Sequence, residues 1–203
     1  GMIQGQPALS DKQVVFGAWD RHLYCLDKTT GQLLWKWDNG KPQLLFSPGN
    51  ICPTIANGKV FIVAPDRCMT AIDLVSGKQV WRDCTHTVRE SMGISPDKCQ
   101  VYAKLMNDSV ISVSTLTEKF KLNWSINAGF GYEHNPCSIL AMENQVFIGT
   151  REGVIISINP IEQKINWKYK VGNSAVNKLA SDGKNLIYVS LLEGIIISLK
   201  KNE

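Results

Sequence analysis

Tryptophan recurs along this chain at near-constant intervals, and that periodicity restricts the fold more than any other feature. Trp35, Trp81, Trp124 and Trp167 fall 46, 43 and 43 residues apart. The aromatic of an apolar run upstream of each tryptophan keeps a similar step. Phe16, Phe61, Tyr102, Phe147 and Tyr188 are 45, 41, 45 and 41 residues apart. Intervals of about 40 to 50 residues belong to arrays in which one small supersecondary unit is repeated. Five such units are therefore predicted within 203 residues.

Each unit obeys the same local grammar. A second strand is read at Val14-Val15-Phe16-Gly17, Val60-Phe61-Ile62-Val63, Val101-Tyr102-Ala103, Val146-Phe147-Ile148-Gly149 and Ile187-Tyr188-Val189-Ser190. Polar turns follow at Asp20-Arg21, Asp66-Arg67, Asn107-Asp108, Glu152-Gly153 and Glu193-Gly194, residue types that tolerate the positive φ of a tight hairpin. The third strand carries a small residue at its middle position each time: Cys25, Ala71, Ser112, Ser157 and Ser198. Apolar groups occupy both parities of these strands, which predicts sheets buried on both faces. The tryptophan lies in a fourth, outer strand, where a flat side chain can pack between neighbouring sheets. Asp27 to Trp35, Asp73 to Trp81 and Asn159 to Trp167 each span eight residues, whereas Ser114 to Trp124 spans ten, a two-residue insertion in the third turn. A first, inner strand is expected near 7–10, 51–56, 92–95, 138–142 and 176–181. No helical periodicity of useful length interrupts the pattern.

These features predict an all-β chain, a β-propeller forming one domain over 1–203. Its blades lie at about 3–39, 50–85, 90–127, 134–171 and 174–203. The run Leu26-Asp27-Lys28-Thr29-Thr30-Gly31-Gln32-Leu33-Leu34-Trp35, echoed from Ile72-Asp73 through Gly77 to Trp81, resembles the pyrroloquinoline-quinone-type propeller repeat. The fourth unit keeps the spacing and Trp167 but not the Asp and Gly. The resemblance covers nearly the whole chain. It implies a choice among quinone-dependent alcohol and glucose dehydrogenases, an outer-membrane assembly lipoprotein, and repeats appended to hydrolases such as calcineurin-like phosphoesterases. Fold alone does not choose among them.

The fifth unit ends after its third strand, which leaves a sheet edge that proteins normally cover. Propellers with this repeat commonly close at seven or eight blades. The expectation is a C-terminal piece of a longer protein whose upstream sequence completes the ring; a five-bladed ring with an imperfect seam is the competing reading. Gly1-Met2 reads like the remnant of a tag, so the sequence is silent on targeting.

Composition excludes little. The net charge of +4 comes from scattered Lys and Arg, which gives no stripe for nucleic acid. The longest apolar runs are far too short to cross a bilayer as a helix, so no membrane insertion is expected. None of Cys25, Cys52, Cys68, Cys84, Cys99 and Cys137 forms a C-x-x-C pair. Cys25 and Cys68 lie in apolar runs, where a thiol acts as a small hydrophobe. A disulfide between neighbouring strands is open, and sequence cannot pair it. The compartment is open too, with the resemblance pointing to the cell envelope or periplasm and the cytoplasm as the other choice.

Catalytic groups are not expected. The quinone dehydrogenases the repeat resembles use adjacent cysteines, calcium ligands and an Asp base, and no two cysteines here are adjacent, so the resemblance implies the fold without the cofactor. His22, His86 and His134 lie in different units and give no zinc set. Gly129-Phe130-Gly131 lacks the strand-to-helix setting of a phosphate loop and is read as a flexible inter-blade loop. If a ligand or partner binds, the segments at 38–50, 83–89 and 127–135 are the place. They put forward Arg89, Glu90, Tyr132 and His134, with Glu133 beside them, as residues for a polar ligand or partner peptide. The expectation is a non-catalytic scaffold for a protein partner or an upstream domain, with no cofactor and no metal. The alternative is the regulatory or substrate-positioning module of a larger enzyme, and a quinone dehydrogenase ranks third.

Overall fold

The computed structural model describes residues 1–40, 47–133, 137 and 139–200. Five antiparallel sheets carry the fold. The first contains β1 (Ala8–Leu9), β2 (Gln13–Gly17), β3 (Leu23–Asp27) and β4 (Leu33–Trp37), in that order across the sheet. The second contains β5 (Thr54–Ala56), β6 (Lys59–Val63), β7 (Met69–Asp73) and β8 (Gln79–Asp83). The third is β9 (Val88–Ile94), β10 (Gln100–Leu105), β11 (Asn107–Ser114) and β12 (Leu122–Tyr132). The fourth is β13 (Leu140–Met142), β14 (Gln145–Gly149), β15 (Val154–Asn159) and β16 (Lys164–Lys170). The fifth has three strands, β17 (Val176–Ser181), β18 (Leu186–Leu191) and β19 (Ile196–Lys200). The only helical element among the described residues is a 3-10 turn at Pro48–Asn50.

Two compact units emerge: Gly1–Glu90 with Ser114–Lys121, and Ser91–Val113 with Leu122–Glu203. In the first unit, Val15, Leu23, Cys25, Trp35, Val60, Ile62 and Ile72 pack as a core between the first two sheets. In the second, one core joins the third and fourth sheets around Val110, Trp124, Ile148 and Ile156. Another joins the fourth and fifth around Phe147, Ile155, Val176 and Val189. Sheets stacked on sheets explain why the strands are apolar at both parities, and β6 is buried at all five of its positions.

The hairpin between the second and third strands is the most regular part of the repeat. Its second residue takes positive φ in every unit: Arg21 75°, Arg67 66°, Asp108 76°, Gly153 73° and Gly194 87°. Where the preceding residue is aspartate its side chain accepts a backbone N–H of the turn, Asp20 that of His22 and Asp66 that of Cys68. The Asp that ends the third strand has an equally local task. Asp27 Oδ1 accepts the N–H groups of Thr29 and Thr30 at 2.9 and 2.7 Å, and Asp73 Oδ1 accepts the Ser76 N–H at 2.7 Å. Asn159 does the same for Ile161 and Glu162, both at 2.9 Å. The fourth repeat has therefore lost the charge but kept the acceptor.

The small middle residue of the third strand lets two large rings meet across it. Phe61 pairs with Ala71 and Ala71 with Trp81, which leaves the Phe61 and Trp81 ring centroids 5.9 Å apart. Tyr102 reaches Trp124 at 5.6 Å and Phe147 reaches Trp167 at 5.8 Å in the same way. In the first repeat the register corrects the alignment on Phe16. Val15, not Phe16, stands opposite Cys25 and Trp35, and Phe16 stacks on Tyr24 instead.

Trp35 and Trp81 make further contacts within the first unit. Trp35 donates its Nε1–H to the Leu74 carbonyl at 3.0 Å and lies so close over Gly77 that a Cβ there would meet its ring at 2.6 Å. Trp81 meets Phe120 edge-on at 5.4 Å, and Phe120 lies in the lengthened third turn. Trp35, Trp81 and Trp124 are 8, 7 and 6% exposed, whereas Trp167 is 38% exposed, so the packing role expected of all four holds for three. Burial of a ring of this size contributes roughly 4 to 6 kcal/mol before entropy is counted.

Three further expectations are revised. Cys68 is not a free thiol but is joined to Cys84 by a disulfide; Cys25 is free and buried. The third sheet runs over 88–132, beyond the expected blade at both ends. Gly129-Phe130-Gly131, read as a flexible loop, is the far end of strand β12. Asn107 pairs with Tyr132 but Ser109 with Asn127, so extra residues bulge out between them, and Gly129 and Gly131 supply the positive φ that this requires.

Candidate functional site

In the first unit a group of charged residues lies on the second hairpin, on β8 and on the segment that leads from β8 into β9. Asp66 accepts the Arg82 guanidinium and the Asn39 amide, the latter at 3.1 Å. Arg67, held at positive φ, directs its guanidinium to both carboxylate oxygens of Glu90, at 3.3 and 3.2 Å. Arg89 approaches the same carboxylate at 3.3 Å. The Arg67 carbonyl accepts the Val88 N–H at 3.2 Å, so backbone and side chain tie the hairpin to the start of β9. The disulfide from Cys68 to Cys84 anchors the intervening segment. Within it Asp83 accepts the Thr85 hydroxyl at 2.6 Å and pairs with His86 at 2.9 Å.

Glu90 therefore sits between two guanidiniums, with 5% of its side chain exposed and Arg67 29% exposed. Burial pushes the Asp83 carboxyl up, but the Thr85 hydroxyl and the His86 ring and N–H outweigh it and hold it below the ordinary range. A second polar group lies on the first sheet. Asp20 accepts the Tyr24 hydroxyl at 2.7 Å and the His22 ring lies 3.6 Å from Asp38. The Asp20 hydrogen bond raises the Tyr24 hydroxyl above its usual value.

Of the sequence-predicted residues, Arg89 and Glu90 are brought together, and they stand on strand β9 rather than in a loop. Arg67, which sequence reading treated only as a turn residue, completes the group. Its signal was available in the repeated acidic-then-basic pair of the first two hairpins. Tyr132 belongs to the second unit, 66% exposed at the end of β12. His134 lies outside the described residues. Glu133 is not a surface group. It is buried against the Lys104 ammonium and accepts the Arg151 N–H. The same ammonium donates to the Gly149 carbonyl at 2.9 Å and lies 4.7 Å above the Phe130 ring.

The chemistry of this arrangement is fixed charge rather than a reactive group. Burial raises the Cys25 and Cys137 thiols to about 11, so both stay protonated at neutral pH. Among the described residues no group of three or more His, Cys, Asp or Glu could hold a metal ion. No described helix is long and apolar enough to cross a membrane, which says nothing of strands.

Comparison with known proteins agrees with the repeat. The family model described as outer membrane protein assembly factor BamB matches residues 2–203. Comparison with curated proteins finds no match. Among solved structures, BamB from Moraxella catarrhalis superposes with a TM-score of 0.75 at 16% identity, over 98% of this chain and 59% of that one. The β-propeller domain of Cps50 (Swd1) from Myceliophteria thermophila gives 0.76 at 14% identity, over 100% of this chain and 68% of that one. The chain thus spans about three fifths of the BamB chain that it matches. At such low identity the solved structures carry the fold alone, and the fold is the β-propeller. With sheet order, ring-across-strand packing and the family match in agreement, the chain belongs to the outer membrane protein assembly factor BamB family of quinone-type propeller repeats.

Proposed function

We propose that this chain is a non-catalytic scaffold that presents rigidly held charged residues to a protein partner. The observation that carries the reading is Glu90 held between Arg67 and Arg89 at the junction of a hairpin, a disulfide-anchored segment and a strand. Groups pre-positioned in this way lose little entropy on binding, and the partly exposed Arg67 guanidinium favours a carboxylate on the partner. The family's role as an assembly factor supports a protein partner. The disulfide Cys68–Cys84 supports an oxidising compartment, in keeping with a cell-envelope protein.

The test is charge reversal at Arg67, which is partly exposed. In the full-length protein, Arg67→Glu is expected to weaken capture of the co-purifying partner about tenfold or more, with the far-UV circular dichroism unchanged. Undiminished capture by the variant, or quinone-dependent turnover by the chain itself, overturns the reading.

A further inference from the structure

A second site emerges in the other unit, on the hairpins that join first to second strands. There a cleft of about 950 Å³ opens between the 95–100 and 142–145 hairpins, with Pro160 and Ile161 of the fourth sheet's outer turn and Lys184 of the fifth sheet at its edge. The first unit explains why it is open. The residue that begins each second strand there clasps the backbone just beyond the third strand of the next sheet. Gln13 Nε2 donates to the Leu74 carbonyl at 3.1 Å, and Lys59 Nζ donates to the Thr115 carbonyl at 3.4 Å. By repeat position, Gln100 corresponds to Gln13 and Lys59, and Pro160 to Leu74 and Thr115. Gln100 does not make the clasp. Its Oε1 accepts the Ser112 hydroxyl at 2.6 Å within its own sheet, at a position where the first two repeats carry Cys25 and Ala71. Gln100 and Pro160 are left on the wall of the cleft.

The polar atoms there are under-used. Gln145, the next residue in the series, also lines the cleft, and its buried Oε1 has no hydrogen-bond partner among the described residues. A buried carbonyl without a donor costs about 1 to 3 kcal/mol, and the Gln100 amide nitrogen has no partner among the described residues. Beside these amides lie Leu140, Met142 and Ile161, the last 72% exposed. Asp97 and Glu143 outnumber Lys184 among the charged lining residues. The Ser95 hydroxyl and the Cys99 N–H hold the Asp97 carboxyl below its ordinary range, so it is ionised at neutral pH.

We propose that this cleft binds an extended peptide segment, whose backbone meets the Gln100 and Gln145 amides and which carries aliphatic side chains flanked by lysine or arginine. The partner's backbone takes the place that the chain's own carbonyls fill in the first unit. The volume is that of sites for small ligands or short peptides, side-chain amides offer a donor and an acceptor to a peptide group, and the acidic excess selects the flanking charge. The cleft is independent of the Arg67 group, so either can fail alone.

The probe is a fluorescein-labelled, capped pentapeptide, lysine–leucine–serine–leucine–lysine, titrated with the protein and followed by anisotropy. Saturable binding is expected. Gln145→Leu should weaken it about fivefold, the worth of one hydrogen bond, and Ile161→Asp, at an exposed turn, by more. Replacement of both lysines by glutamate, or N-methylation of the peptide backbone, should also weaken it, whereas Arg67→Glu should leave it unchanged. In the protein's ¹H–¹⁵N spectrum the Gln100 and Gln145 side-chain amides should shift on saturation. Absence of saturable binding, affinity insensitive to Gln145→Leu and Ile161→Asp, or unmoved glutamine amides overturns the proposal.

Discussion

The tryptophan clasp gives a test in which two near-identical substitutions should differ. Trp35 and Trp81 occupy the same repeat position, lie in the same unit and are buried to the same extent, 8 and 7% exposed. Their indole N–H groups are not equivalent. Trp35 Nε1 donates to Leu74, whereas Trp81 Nε1 is buried with no hydrogen-bond partner among the described residues. Substitution by Phe removes the second ring at both sites, a roughly common cost. At Trp35 it also removes a hydrogen bond worth about 1 kcal/mol. The Leu74 carbonyl keeps its other donor, Gln13 Nε2, so no orphan-acceptor penalty is added. At Trp81 it removes a buried orphan donor and recovers about 1 to 3 kcal/mol. Trp35→Phe should therefore be the less stable variant by roughly 2 to 4 kcal/mol. With a urea slope of about 2 kcal/mol/M, the midpoints should lie about 1 to 2 M apart. Far-UV circular dichroism is the suitable probe, because both substitutions alter fluorescence directly. Equal midpoints, or a lower midpoint for Trp81→Phe, would refute the assignment of the two N–H groups.

Other perturbations follow from the same packing. Reduction of Cys68–Cys84, or the Cys68→Ser/Cys84→Ser pair, releases a loop of sequence separation 16 and should cost about 3 kcal/mol in urea unfolding. Lys104→Met strands the Glu133 carboxylate and should cost about 3 to 5 kcal/mol, while adding Glu133→Leu should restore much of that loss; a double variant no more stable than Lys104→Met would contradict it. Asp27 and Asp73 should govern acid stability. The Thr30 N–H and hydroxyl hold the Asp27 carboxyl below its ordinary value, and the Ser76 hydroxyl and N–H do so for Asp73. A carboxyl lowered on folding stabilises fully above its unfolded pKa of about 4 and ceases to as pH falls through the lower folded value. The urea midpoint should fall on acidification below about pH 4, and Asp27→Asn/Asp73→Asn, which keeps the acceptor as Asn159 does, should flatten that fall.

The repeat was legible because it is enforced by geometry that residue size records. A small third-strand residue is needed wherever two rings meet across it, so Ala71, Ser112 and Ser157 mark the register as clearly as the rings do. The one misplaced landmark, Phe16, was also detectable. Phe61 to Trp81 and Phe147 to Trp167 span 20 residues, and in the first repeat it is Val15, not Phe16, that lies 20 residues before its tryptophan. Periodicity could not reveal that Trp167 is exposed while its counterparts are buried, because repetition describes a unit and burial depends on what lies against it.

The site was less legible, for a physical reason. Binding residues are expected in loops, because strands bury and loops are exposed, yet Arg89 and Glu90 lie on β9 and Tyr132 ends β12. Sequence assigns residues to loops where apolar alternation stops, but a strand can continue past that point if ion pairs or bulges satisfy it. Both devices operate here. Arg67 and Arg89 neutralise Glu90 on β9, and the bulge opposite Asn107 and Ser109 carries β12 to Tyr132. The buried pair of Lys104 with Glu133 belongs to the same class, since its partners are 29 residues apart and neither periodicity nor motif joins them. The cleft beside Gln145 follows the opposite rule, because it arises where a repeated contact is not made. Its trace in the sequence is the change from Cys25 and Ala71 to Ser112, whose hydroxyl bonds Gln100 within its own sheet. In a repeat protein, departures of this kind deserve the closest reading for function, because the conforming positions are already committed to holding the sheets together.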